Sequence, residues 1–106
     1  MQTRGKPRVP VDYVVHFTGD HGSGHGVMRN LTIAGGEIES QEHIPNGAHL
    51  CLQVQPSGAR PPLVVALAVV RWRRGDHFGV EFIRFDGQAK QQLEDMLNQR
   101  DGTPAE

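Results

Sequence analysis

Six segments of strand pattern follow one another between residues 11 and 85, and no helical segment separates them. That succession limits the fold more than any other feature. A parallel strand pair needs a crossover of about a dozen or more residues, usually a helix. The gaps here are short and rich in turn residues, so neighbouring strands must run antiparallel. VDYVVHFT (11–18) alternates, with Val11, Tyr13, Val15 and Phe17 on one face and Asp12, Val14, His16 and Thr18 on the other. GDHGSGHG (19–26) reads as a flexible, Gly-rich hairpin loop. GVMRNL (26–31) and GEIES (36–40) are the second and third strands, and PNG (45–47) is a turn. AHLCLQVQ (48–55) alternates again, with Ala48, Leu50, Leu52 and Val54 inward and His49, Cys51 and Gln53 outward. PSGARPP (56–62) is a long turn. LVVALAVVRWRR (63–74) is apolar on both faces, as a strand covered on both sides should be. RGD (74–76) turns the chain into HFGVEFIRF (77–85), the last strand.

The period then changes once. From Asp86 as N-cap, the run DGQAKQQLEDMLNQR places Ala89, Leu93, Met96 and Leu97 on one helical stripe. Six strands followed by one amphipathic helix predict an all-β fold: a closed six-stranded antiparallel barrel, capped or flanked by the helix. Residues 1–10 form a flexible N-terminal arm, residues 11–99 the barrel and helix, and residues 100–106 a disordered tail.

Composition narrows the function classes. With 106 residues, 37% of them hydrophobic, the chain can build one small core. The net charge of −1 means that any anion site is a local patch and not a product of the overall field. One Cys excludes an internal disulfide and fits a reducing compartment. The apolar run LVVALAVV is too short to span a bilayer, and MQTRGKPR carries no apolar signal-peptide core. These readings predict a cytoplasmic domain with no membrane insertion.

The usual constellations of catalysis are missing. No Ser/His/Asp set or carboxylate pair stands out. His21 and His25 have the spacing of two metal ligands, without an evident third, so no metal and no cofactor is expected. Cys51 has no neighbour in sequence that would lower its pKa. GDHGSGHG opens no helix and is not a dinucleotide fingerprint. The chain therefore reads as a binding module and not an enzyme. A barrel for single-stranded nucleic acid needs aromatic platforms beside a basic groove. Tyr13, Phe17, Phe78 and Phe82 fall on core positions, which leaves Trp72, flanked by Arg71, Arg73 and Arg74, as the one candidate platform. Nucleic acid is not an expected partner.

Two short stretches carry the remaining signal. RGKPR (4–8) sets Arg4 and Arg8 four apart with Lys6 between them. Arginine suits bidentate phosphate binding, stacking on flat bases, and the O6/N7 edge of guanine. NLTIAGG (30–36) sets Asn30 and Thr32 two apart, so that in an extended strand an amide and a hydroxyl share a face. Leu31 and Ile33 are its apolar flank. Gly35 and Gly36 remove two Cβ atoms, which allows a sharp turn and close approach of a ligand to backbone N–H groups.

With these motifs in place, the chain resembles the PilZ domain, a bacterial receptor module for cyclic di-GMP. That family carries RxxxR just before its first barrel strand, matched by Arg4-Gly-Lys-Pro-Arg8. It carries D/N-x-S-x-x-G after the second strand, matched by Asn30-Leu-Thr32-Ile-Ala-Gly35 with Thr in place of Ser. Strand order, the VVRW…FGVEF pair and the closing helix extend the likeness along nearly the whole chain. The resemblance implies that Arg4 and Arg8 wrap over cyclic di-GMP, contacting phosphates and guanines. It implies that Asn30 bonds a guanine edge, that the Thr32 hydroxyl bonds a phosphate or guanine, and that Gly35, with Gly36 beside it, leaves room for the ligand. Ordering of the arm on binding would present a new surface to a downstream protein partner in motility or biofilm signalling. The alternative is a PilZ-like module that has lost the ligand and acts only through protein contacts, in type IV pilus or flagellar regulation.

Overall fold

A computed structural model describes residues 9–20, 22–56 and 60–102, with side chains described as far as residue 98. Six strands, β1 (Val9–Gly19), β2 (Gly22–Leu31), β3 (Gly35–Glu39), β4 (His49–Gln55), β5 (Leu63–Arg74) and β6 (His77–Phe85), precede one helix, α1 (Ala89–Gly102). All pairings are antiparallel. They close a barrel in the order β1-β2-β3-β6-β5-β4.

Alternation is what builds it. Tyr13, Val15 and Phe17 of β1 point inward beside Leu50, Leu52 and Val54 of β4, and all are buried. Phe17 meets Phe78 of β6 edge to face, with ring centroids 5.7 Å apart. Each fully buried side chain of this size contributes roughly 1.5–3 kcal/mol by leaving water. Cys51 faces outward and is exposed, as the alternation of β4 requires.

The ring order has one consequence that alternation cannot supply. β3 and β4 are consecutive in the chain but lie on opposite sides of the ring. The connection through residues 40–48 must cross a barrel end, and it carries its own apolar plug, Ile44, into the core. Ser40 ties the connection down. Its hydroxyl donates to the His25 carbonyl (2.7 Å) and accepts the Glu42 N–H (3.1 Å), while its backbone N–H donates to the Asp76 carbonyl (2.8 Å).

Four boundaries differ from those expected by two residues or more. The Gly-rich segment is not a flexible loop: from Gly22 onward it is strand, paired residue for residue with β1. Gly24 and Gly26 are small because the end of β3 and the start of the crossing connection press on them. A Cβ on Gly26 would lie 2.3 Å from the Glu39 carbonyl oxygen, and one on Gly24 would lie 2.5 Å from the Glu42 side chain. β1 starts at Val9, so Val9 and Pro10 belong to the barrel and not to the arm. The helix starts at Ala89 and not beside Asp86, because Gly87 adopts a left-handed φ of 54°, which no α-helix contains. It also runs to Gly102, beyond the expected end at residue 99.

Helix α1 packs against β5. Its buried stripe is the expected one: Ala89, Leu93 and Met96 are buried, and Leu97 packs against the core. Gln92 Nε2 donates to the carbonyls of Pro61 and Pro62 at 3.0 and 3.2 Å, which fixes the helix to the β4–β5 connection. On the outer face, Arg29 pairs with Glu39 (2.8 Å) and Asp12 (3.1 Å). The hydrogen bond and charge of Arg29 hold the Glu39 carboxyl below its ordinary value. Among the described residues, no helix is long and apolar enough to cross a membrane.

Candidate functional site

The strand registers align one row of residues across four strands. Asn30 of β2 faces Glu37 of β3, Glu37 faces Gly79 of β6, and Gly79 faces Trp72 of β5. Two register shifts decide what this row presents outward. In β2 the shift falls at Arg29, between Met28, which is wholly buried, and Asn30. In β5 it falls at Arg71, between buried Val70 and Trp72. Each inserts one extra residue and breaks strict alternation, as a β-bulge does. Arg71 and Trp72, though consecutive, therefore both reach the outer side of the sheet.

The result is a cavity of about 230 Å³, lined by Asn30, Thr32, Gly35 and Gly36 on one side and by Arg71, Trp72, Gly79 and Glu81 among others on the other. Four of the six residues singled out in the sequence thus lie together. The other two, Arg4 and Arg8, lie outside the described residues. β1 nevertheless begins at Val9 directly opposite Leu31, with Pro10 opposite Asn30. The start of β1 therefore lies beside the Asn30–Leu31 end of β2.

Trp72 lies flat across Gly79. A Cβ at that glycine would stand 2.1 Å from the indole Nε1. The indole is partly exposed and forms one wall of the cavity. Beside it, Arg71 Nε donates to Glu81 Oε1 at 2.7 Å, with both side chains about half exposed. A guanidinium held this way by one carboxylate keeps further N–H donors for an anion. The sequence marked Trp72 as an aromatic platform without showing what it stands next to. Arg71 stood out in the sequence only as one of three arginines flanking that platform, because its place in the cavity depends on the bulge.

The turn between β2 and β3 is built differently from the sequence expectation. Neither Gly35 nor Gly36 has a positive φ. The turn is made by Thr32, whose Oγ1 accepts the N–H of Ala34 (3.0 Å) and of Gly35 (3.1 Å), while its own N–H donates to the Gly35 carbonyl (2.8 Å). This is the side-chain turn that Ser and Thr share. The glycines serve packing. A Cβ on Gly35 would stand 2.1 Å from the Val80 carbonyl oxygen, and one on Gly36 would meet the Met28 sulfur at 2.6 Å. Replacing Thr32 with Val, which strands two backbone donors, should destabilise the domain by about 1–3 kcal/mol. Urea unfolding would measure that loss, and Thr32→Ser, which keeps the hydroxyl, should be near neutral by the same measurement.

Asn30 Nδ2 donates to Glu37 Oε1 at 2.8 Å, and the other oxygen of Glu37 lies 2.7 Å from His77 Nδ1. His25 stands opposite His16 on the outer sheet, with ring centroids 6.1 Å apart, and His21 lies outside the described residues. Among the described residues no three metal-ligating side chains cluster. A larger depression, about 670 Å³, is lined by Val14, His16, Gln53 and Gln55. Among the described residues it offers neither a lysine nor an arginine to an anion.

Comparison with known proteins settles the family. The model of the PilZ domain family matches residues 2–99. The chain belongs to the PilZ domain family. No curated protein matches this PilZ chain in sequence. Solved structures share its fold. The motility inhibitor MotI/DgrA of Bacillus subtilis is 15% identical with a TM-score of 0.74, over 95% of this chain and 52% of that one. YcgR of Escherichia coli, in complex with c-di-GMP, is 13% identical with a TM-score of 0.75, over 94% and 46%. The PilZ domain of CeSA from a cellulose-synthesizing bacterium is 12% identical with a TM-score of 0.68, over 90% and 98%. This PilZ chain thus spans about half the length of MotI and YcgR and nearly all of the CeSA domain.

Proposed function

We propose that this PilZ domain is a receptor for cyclic di-GMP and acts without chemistry of its own. The carrying observation is the convergence of Asn30, Thr32, Gly35 and Gly36 with Arg71 and Trp72 on one cavity. Cyclic di-GMP has two flat guanines and two phosphates. The indole of Trp72 suits a guanine face, and Arg71 suits a phosphate or a guanine edge. Asn30 serves a guanine edge. Because Thr32 Oγ1 already accepts two backbone N–H groups, its part is chiefly to hold the corner in shape. Arg4 and Arg8 close over the ligand from the start of β1. The covered ligand and arm then form a surface that a downstream protein reads, which is a switch by ordering. YcgR, whose structure contains c-di-GMP, supports this reading through its shared fold.

Calorimetric titration with cyclic di-GMP tests the proposal. Wild type should bind, and Asn30→Ala should weaken binding by about tenfold, the size of one or two hydrogen bonds. Arg8→Ala should weaken it further, and salt should weaken binding by wild type more than by Arg8→Ala. Equal binding by all three would remove these residues from the site. No binding by wild type would select the alternative, a PilZ module that works through protein contacts alone.

A further inference from the structure

We infer that Glu37 is a positioning residue that fixes which atom Asn30 offers to the ligand, and so makes the site select guanine; this rests on the cyclic di-GMP reading. An asparagine amide has a donor branch and an acceptor branch, and nothing in the residue itself decides which way it faces. An ionised carboxylate can only accept. Glu37 Oε1 stands 2.8 Å from Asn30 Nδ2, so the NH₂ branch turns toward Glu37 and the carbonyl branch turns away from it. Glu37 is in turn held, since its other oxygen lies 2.7 Å from His77 Nδ1. Its side chain is only 23% exposed, so water competes weakly for these bonds. Register reinforces the arrangement, because Glu37 lies between Asn30 and Gly79, both of which line the cavity.

The chemistry of the base then matters. The Watson–Crick edge of guanine presents donors at N1 and at its amino group. Adenine presents an acceptor at N1. Beside that acceptor adenine has one donor, its N6 amino group, so an acceptor at position 30 can take two neighbouring donors from guanine but only one from adenine, and favours guanine. A carboxylate at position 30 would accept whichever way it faced, but two carboxylates as close as Asn30 and Glu37 cannot both ionise readily. Asn30 and Glu37 therefore act as a pair: with Glu at 37, Asn is the better residue at 30, and with a neutral residue at 37, Asp is.

Four proteins test this: wild type, Glu37→Gln, Asn30→Asp and the double variant, each titrated with cyclic di-GMP and cyclic di-AMP. Glu37→Gln, whose amide can donate or accept, should lose about five- to tenfold in cyclic di-GMP affinity and narrow the preference over cyclic di-AMP. Asn30→Asp should also weaken binding. The double variant should recover to within about threefold of wild type, a reversal in the effect of Asn30→Asp that a merely structural role would not produce. Melting curves of all four separate folding from binding. If wild type binds and the two losses simply add, the role of Glu37 is overturned while the receptor reading stands. If wild type binds neither nucleotide, the receptor reading fails and this inference falls with it.

Discussion

Trp72→Ala should reduce affinity for cyclic di-GMP by about tenfold to a hundredfold, the range found when one base loses its aromatic platform. Among the described residues the indole is the largest flat surface in the cavity, and it rests on Gly79, which has no side chain. That contact supplies a twin experiment. Gly79→Ala leaves Trp72 in the sequence but places a Cβ 2.1 Å from the resting position of Nε1. The indole must leave its bed, so affinity should fall by a similar factor. The barrel should survive both changes, since Trp72 lies outside the buried core. A small shift in melting temperature with a large loss of affinity is the expected pattern. Undiminished binding by Trp72→Ala would take the indole out of the site.

The largest effect on stability should come from Phe78→Ala. Phe78 is 1% exposed and packs edge to face on Phe17, so the substitution removes both the buried area and an aromatic pair. The loss should be about 3–5 kcal/mol. That is a large share of the roughly 5–15 kcal/mol that holds a domain of this size together. Urea unfolding followed by circular dichroism would measure it. Phe78→Leu, which leaves a smaller void, should cost less. A loss below about 1 kcal/mol would mean that the Phe17–Phe78 contact is not central to the core.

Much of the barrel was legible from residue order. Val15, Phe17, Leu52 and Val54 were assigned inward because alternation has the period of a strand, and burial by a sheet face follows that period. The helix stripe of Ala89, Leu93 and Met96 was legible for the same reason at the helical period. Glycine was where the reading failed. From the sequence alone, glycine at 24 and 26 reads as flexibility, at 35 and 36 as a turn, and at 87 as a residue within the helix. In the structure the first four are places where another part of the chain comes too close for a Cβ, and the last is a left-handed stop. One letter stands for freedom and for tight packing alike. Only the neighbour across the sheet distinguishes them.

The sequence by itself determined the strands, the helix, the face each residue takes where alternation is unbroken, and the short polar motif at 30–36. These depend on a residue and its near neighbours along the chain. The order of the strands around the ring, the crossing at residues 40–48 and the bulges at Arg29 and Arg71 were decided by tertiary structure. So was the row that brings Asn30, Glu37, Gly79 and Trp72 together. The physical reason is that register is a property of a pair of strands. A shift of one residue reverses every face, and no single strand records which shift its partner will take.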